Sequence, residues 1–305
     1  MKIAIVIPVF NSSRSLTELT SRLIQVFDGL EEEFELIFVD DASQDNSWEV
    51  LKQMKSDNAQ YSIKLVRLAR NFGQHNATVC GFSYCTGDAV ITMDDDLQHP
   101  PEEIPKLLEY YKKHRTEVIY GSSSSGHSPV KMMMGKMMKF AARRLENTTG
   151  FGSSFRLIDK RVVNQLKELN THFVFVDHLL QWHTNDINII KVEHHKRKHG
   201  RSNYSSCRLL SMLGGITVFY STFLLRLMVF VGGMGALMSF LFGLFFIIKK
   251  VFFNTPVEGF TSIITAILFS TGLILLSLGI IGQYIGEIYT TMNRKPLYSV
   301  KEEQV

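Results

Sequence analysis

The chain has 305 residues, enough for one large domain and something smaller. Its formal net charge of +4 is modest and spread out, which argues against a nucleic-acid partner. Its three cysteines, Cys80, Cys85 and Cys207, make neither a metal-binding pattern nor a disulfide framework.

In chain order, KIAIVIPVF predicts a buried strand and residues 15–30 a helix. FELIFVD predicts a second strand, followed by a helix over residues 47–56. SIKLVRLA predicts a third strand and residues 73–85 a helix. DAVITMD predicts a fourth strand, with a helix opening at Pro101-Glu102-Glu103, and EVIYGS predicts a fifth. Such alternation predicts an α/β domain with a mostly parallel sheet covered by helices. Ligands of such sheets bind outside the carboxyl ends of the strands. The first strand runs into Pro8-Val9-Phe10-Asn11-Ser12 rather than G-x-G-x-x-G, which argues against a dinucleotide site and a P-loop. Residues 122–128 read as a loop, and EHHKRKHG, residues 193–200, opens on a strand that points His194 and His195 apart.

Apolar residues crowd the last third. Residues 227–248 and 259–286 carry no charge, and each run exceeds the roughly 20 residues a bilayer span needs. Met1-Lys2 followed by IAIVIPVFN is no signal peptide. The expected organisation is a cytosolic catalytic domain at 1–204 and an interfacial helical segment at 205–226. Transmembrane helices at 227–248 and 259–286 then form a hairpin, with a cytosolic tail at 287–305. Arg197, Lys198, Arg201, Arg208, Arg226, Arg294, Lys295 and Lys301 fit that orientation, whereas Lys249 and Lys250 oppose it. Residues 130–145 hold five basic side chains and no acid, and Lys136, Lys139 and Arg143 share a helical face suited to water or to anionic headgroups.

Two acid clusters close predicted strands, Asp40-Asp41 after the second and Asp94-Asp95-Asp96 after the fourth. Side chains alternate along an extended segment, so Asp94 and Asp96 can converge while Asp95 points away. Converging carboxylates repel unless a divalent cation sits between them, and Mg²⁺ or Mn²⁺ takes oxygen ligands. The plainer reading is a solvated acidic start for the helix near Pro101.

The runs VIPVFN, VDDASQDNS, RNFGQHNATVCGFSYCTGDAVITMDDDLQHPPEEIP, GSSFRLIDKRVV, RKHGRSNYS and IIGQYIGEIYTTMNRKPLY resemble, in this order, the family 2 glycosyltransferases. Within these the resemblance is to the membrane-anchored polyprenyl-phosphate glycosyltransferases. It implies a GT-A, Rossmann-like domain that holds a nucleotide-sugar diphosphate over a metal. Asp94 and Asp96 match the DxD pair, and Gln98 matches a third metal-side ligand for Mg²⁺ or Mn²⁺. Asp40 and Asp41 match the acids that meet base and ribose, and Pro8 and Phe10 match the loop that packs on the base. Ser12, Asp95 and Arg156 are counted with the donor-binding residues. Arg197 and Ser202 match the R-x-x-G-x-S motif near the diphosphate and the acceptor phosphate. Asp94, Asp96 and Arg197 are the residues expected to carry catalysis. The implied partners are a nucleotide-sugar donor, more often uridine-linked, undecaprenyl or another polyprenyl phosphate, and membrane lipid. A homo-oligomer paired through the tail is compatible with the resemblance. The implied location is the bacterial inner (plasma) membrane, multi-pass, with both termini cytosolic. Ser12 stands where the family usually has glutamate, Ser123 where it has arginine, Ser154-Phe155-Arg156 where a D-F-R triplet is common, and Asn203 where it has lysine. A transferase with a sugar-hydroxyl acceptor would usually carry Q-x-x-R-W, and Gln181-Trp182 lacks the arginine. A catalytically silent membrane partner would not need all three metal-side residues.

Overall fold

The structure, a computed structural model, describes residues 1–122, 153–167, 175–195, 259–292 and 296–305, with single helical positions between 230 and 252. In chain order β1 (Lys2–Val9), α1 (Leu16–Asp28), β2 (Glu33–Asp40), α2 (Ser47–Asp57), β3 (Ser62–Leu68), α3 (Gln74–Ser83) and β4 (Ala89–Thr92) alternate. A 3₁₀ turn (Pro101–Glu103), α4 (Ile104–His114), β5 (Val118–Ser122), β6 (Arg156–Asp159), α5 (Lys160–Lys167), α6 (Val176–His183) and β7 (Ile187–Lys191) follow. Last come α7 (Phe260–Met292) and β8 (Val300–Gln304). The strands form one eight-stranded sheet in the order β7-β5-β6-β4-β1-β2-β3-β8. β1 lies between β2 and β4, parallel to both, which explains its unbroken apolar run: Ile3 to Ile7 are fully buried.

Alternation along the strands sends side chains to two cores. Ile3, Ile5, Ile7, Leu36 and Phe38 pack with Leu16, Leu19, Leu23 and Phe27 of α1 and with α2 and α4. Ala4, Val6, Ile37 and Val39 pack with α3, α5 and α6. α3 lies so close to β1 that a Cβ on Gly81 would overlap Val6 Cγ1. Glu35, fully buried, is bonded by the Thr86 amide at 2.6 Å and paired with Lys2 and Lys64, each at 3.1 Å.

The five predicted strands and four helices occupy the expected places. β6 is an addition: it runs antiparallel between β4 and β5, so the parallel order is broken on that side. The strand expected at EHHKRKHG ends at Lys191, and His194 and His195 lie beyond it. The C-terminal segment also departs from expectation. α7 continues to Met292, past the boundary at 286, and β8 pairs antiparallel with β3. Residues 294–305 therefore belong to the same compact unit as residues 1–202, and Asn203–Asn293 form a second unit.

In that second unit α7 has 33 residues, about 50 Å at the helical rise. Its segment Phe269–Gly286 has a mean hydropathy of 1.5 and is the one helix among the described residues long and apolar enough to cross a membrane. The earlier run, 227–248, lies largely outside the described residues. The positions described there, among them Phe230, Met234, Leu237 and Leu241, are helical and exposed. The segment 205–226 and the basic face at 130–145 also lie outside the described residues.

Candidate active site

The register of the sheet brings the acid clusters to one edge. Val9 is paired with Asp40, and Val6 with Thr92, so β1, β2 and β4 end together. Asp41 and the three aspartates after Thr92 follow those ends directly. Three of the four non-glycine residues with positive φ among the described residues fall in these loops: Asn11 (55°), Ala42 (56°) and Leu97 (60°). For alanine and leucine this is a sparsely populated conformation, of the kind that clusters at functional sites.

The loop after β1 is stapled to the loop after β2. Ser43 Oγ accepts from the Asn11 amide at 2.9 Å, and Ser47 Oγ accepts from the Ser12 amide at 2.9 Å. Asp45 accepts from the Ser13 amide at 3.1 Å, while Asn11 Oδ1 accepts from the Gln44 amide at 2.7 Å. The motif VDDASQDNS thus shapes its neighbour as much as it presents acids. Asp95 adds a second anchor: Oδ2 accepts from the Phe10 amide at 3.2 Å, and the Ser12 side chain bonds to the same carboxyl. The protein packed around Asp95, and then the charges of Asp94 and Asp96, push its carboxyl up to about 7 against those bonds. Pro8 is buried within β1, and Phe10 is partly exposed at its end.

Asp40 and Asp41 differ in their engagement. Asp40 is fully buried, with the Ser43 amide on Oδ1 at 3.2 Å and Arg67 Nε 3.3 Å from Oδ2. The guanidinium of Arg67 also lies over the Trp48 ring, 5.6 Å from its centre. Burial raises the Asp40 carboxyl above its ordinary value. Asp41 spends both oxygens on backbone amides, Phe72 at 2.7 Å and Gly73 at 2.8 Å, and burial lifts it to about 6. It clasps the loop before α3, where Gly73 has φ 91°.

Asp94 is partly exposed. It accepts from Gln74 at the start of α3 and from Ser154 Oγ at 2.7 Å. Asp96 Oδ1 accepts from the Gln98 amide at 3.0 Å. Gln74 and Ser154 are neutral donors, so they orient Asp94 without cancelling its charge. Two carboxylates and a carboxamide within five residues form the hard-oxygen donor set that suits Mg²⁺ or Mn²⁺. Among the described residues no group of three or more His, Cys, Asp or Glu is placed to hold a metal ion. By donor chemistry alone, Asp94, Asp96 and Gln98 suit a cation that takes its other oxygens from substrate phosphate or water.

Behind Gln98, the His195 amide donates to its carbonyl at 2.8 Å. The His99 ring stacks on Phe155 at 5.3 Å and meets His194 at 5.0 Å; burial lowers its imidazole to about 4. Arg156, counted above with the donor-binding residues, is buried behind β4 and paired within the protein. It is 3% exposed, its Nε donates to Thr92 Oγ1 at 2.9 Å, and Nη1 pairs with Asp177 of α6, which also accepts from Tyr120 at 2.9 Å. Arg197 and Ser202 lie outside the described residues. Gln74 and Arg67 were not singled out by sequence, and Ser154 only as a departure from the family pattern. Gln74 and Ser154 sit in RNFGQHN and GSSFR, motifs whose order was legible but whose individual contacts were not.

The mostly parallel sheet, covered by helices and with acids after the carboxyl ends of β2 and β4, is an α/β fold of the GT-A kind. Residues 4–167 match the Glycosyl transferase family 2 profile, and the chain belongs to that family. It is 32% identical over 304 residues, 98% of this chain and 90% of the relative, to the undecaprenyl-phosphate 4-deoxy-4-formamido-L-arabinose transferase of Pseudomonas savastanoi pv. phaseolicola (strain 1448A / Race 6). It is 33% identical over 310 residues, 99% of this chain and 95% of the relative, to the uncharacterized glycosyltransferase sll0501 of Synechocystis sp. (strain ATCC 27184 / PCC 6803 / Kazusa). Among solved structures, glucosyl-3-phosphoglycerate synthase from Mycobacterium tuberculosis shares the fold at a TM-score of 0.50 and 15% identity, over 70% of this chain and 75% of that one.

Proposed function

We propose that this glycosyltransferase moves a sugar from a nucleotide-sugar donor, uridine-linked, to a polyprenyl phosphate, undecaprenyl phosphate in a bacterial plasma membrane. The observation that carries the reading is the joint edge of β1, β2 and β4, with Asp40 and Asp41 at the end of β2 and Asp94 and Asp96 just after β4. The nearly full-length likeness to an undecaprenyl-phosphate sugar transferase supports the acceptor class. The catalytic domain lies on the cytosolic side. Residues 227–248 and α7 form a membrane hairpin, a reading favoured by the return of the tail to β3.

In this reading a phosphate oxygen of the lipid attacks the anomeric carbon from the face opposite the leaving group. One C–O bond forms, the bond to the nucleotide diphosphate breaks, and the electron pair leaves on the diphosphate with inversion. Asp94, Asp96 and Gln98 would hold a divalent ion, which would supply Lewis-acid stabilisation of the diphosphate charge. Asp40 and the Phe10 loop receive the nucleotide, and Asp95 holds that loop in place. The Thr92 side chain and Asp177 keep Arg156 as a buried support behind the site. The His195 amide is bonded to the Gln98 carbonyl, and Arg197, which opens the R-x-x-G-x-S motif, follows His195 by two positions in the sequence. The lipid phosphate is already anionic, so no side chain need act as an obligate base, and rate comes from positioning and electrostatics.

The test offers full-length protein in lipid nanodiscs undecaprenyl phosphate and labelled UDP- or GDP-sugars. Lipid-linked product should form, disappear in EDTA, return with Mg²⁺ or Mn²⁺, and be absent in Asp94→Asn and Asp96→Asn. Full activity in EDTA would remove the metal from this account. Product on a sugar hydroxyl instead of the lipid phosphate would replace the acceptor.

A further inference from the structure

The tail that follows α7 reaches the donor loop along a continuous set of contacts. β8 pairs Val66 with Glu303 and Arg67 with Glu302, then slips register at Arg67/Leu68, where Val300 meets Leu68. One residue further the Ser299 carbonyl accepts from the Ala69 amide at 2.8 Å. Leu297 and Tyr298 pack against the same core as Phe72 and Tyr84. At the far end of α3, Ser83 Oγ and Tyr298 Oη are 3.0 Å apart, and Tyr84 Oη donates to Glu303. The tail therefore touches both the loop that opens α3 and the residues that close it.

The tail meets the exposed start of that loop. Ala69, Arg70 and Asn71 are exposed. Beneath it, Asp41 accepts from Phe72 and Gly73, and Asn76 Nδ2 donates to the Phe72 carbonyl at 2.8 Å. Its next residue, Gln74, is bonded to Asp94. A displacement of residues 69–74 would disturb Asp41 and Asp94 together.

We propose that residues 297–304 are a positioning element for the donor site, holding residues 69–74 where they can shape the pocket for a nucleoside diphosphate. The inference rests on the function proposed above. A strand that merely capped the exposed edge of β3 would protect against aggregation. It would not change nucleotide affinity selectively.

The experiment uses the full chain in nanodiscs with UDP and GDP as probes and Mg²⁺ present. Tyr298→Ala/Glu303→Ala should increase hydrogen exchange at residues 69–76. It should weaken binding of the preferred diphosphate by about tenfold and raise donor KM, with acceptor KM unchanged. Tyr298→Phe, which keeps the ring and loses the bond to Ser83, should fall between wild type and the double variant. It decides the matter if the double variant does not fold, and wild-type diphosphate affinity in Tyr298→Phe would then overturn the proposal. Increased exchange at 69–76 with unchanged affinity would overturn it, as would an undisturbed loop beside a detached tail. Failure of the wild type to bind either diphosphate would overturn the proposed function and this inference with it. Binding by the wild type that is indifferent to the tail would overturn this inference alone.

Discussion

Glu35 is a buried acid whose partners favour its charged form. Burial alone would raise its carboxyl, but bonds from the Thr86 amide and hydroxyl and from Lys64 and Lys2 hold it down at about 2, against an ordinary 4.5. A depressed acid contributes stability above its unfolded value, and that contribution is lost as pH falls through the folded value. The window here runs from about pH 4.5 down to about pH 2. The shift corresponds to roughly 3 kcal/mol at neutral pH. Glu35→Gln should lower stability by about that amount at pH 7 and flatten the acid limb in thermal melts. Parallel acid limbs for wild type and variant would show that other carboxylates dominate. Asp41 is the corresponding residue at the site. Asp41→Ala leaves the Phe72 and Gly73 amides without their acceptor, at about 1–3 kcal/mol for each if they stay buried. Donor KM should rise while acceptor KM holds, and equal changes in both would place Asp41 outside the donor site.

The elements respond to packing more than to propensity, and α3 is the clearest case. On helix propensity alone Gly81→Ala would stabilise by roughly 0.5–1 kcal/mol. The new Cβ would overlap Val6 Cγ1 and lie 3.3 Å from Val39 Cγ2, and overpacking of this kind costs about 1–3 kcal/mol. Gly81→Ala should therefore destabilise, and Val6→Ala in the same chain should recover part of the loss because the two sites touch. Additive losses in a double-mutant cycle would disprove the contact. The same contrast explains what the sequence revealed. The first five strands were legible because each is an apolar run bounded by turn residues, and the acid clusters because they close such runs. β6 was missed because RLID is four residues long and its first side chain is a buried arginine. The pairing of Arg156 was not legible because a motif gives residue order but not side-chain direction, and its partner Asp177 lies on another element, 21 positions away. β8 was missed because VKEEQ is mostly charged, as an edge strand with an exposed face can be.

For the whole molecule, the pairing of β8 with β3 constrains how the chain meets a membrane. Residues 1–202 and 294–305 form one unit, so both lie on one side of any bilayer the intervening residues cross. An odd number of crossings is then forbidden, and if α7 crosses, another segment between residues 203 and 259 must cross back. Residues 227–248 are the apolar candidate, which places residues 249–258 on the opposite face despite Lys249 and Lys250. Thiol labelling can read this directly. Cys80 and Cys85 are buried, and burial pushes both thiols up to about 12, so they should stay silent. With Cys207 replaced by serine, single cysteines are introduced at Gln60, Thr255 and Val305. In spheroplasts a membrane-impermeant maleimide should label Thr255→Cys and spare Gln60→Cys and Val305→Cys, which should react only after permeabilisation. Labelling of Val305→Cys in intact spheroplasts, with Gln60→Cys protected, would separate the tail from the catalytic domain and contradict the β3–β8 pairing. Protection of Thr255→Cys, with the other two also protected, would leave the pairing intact and remove the hairpin.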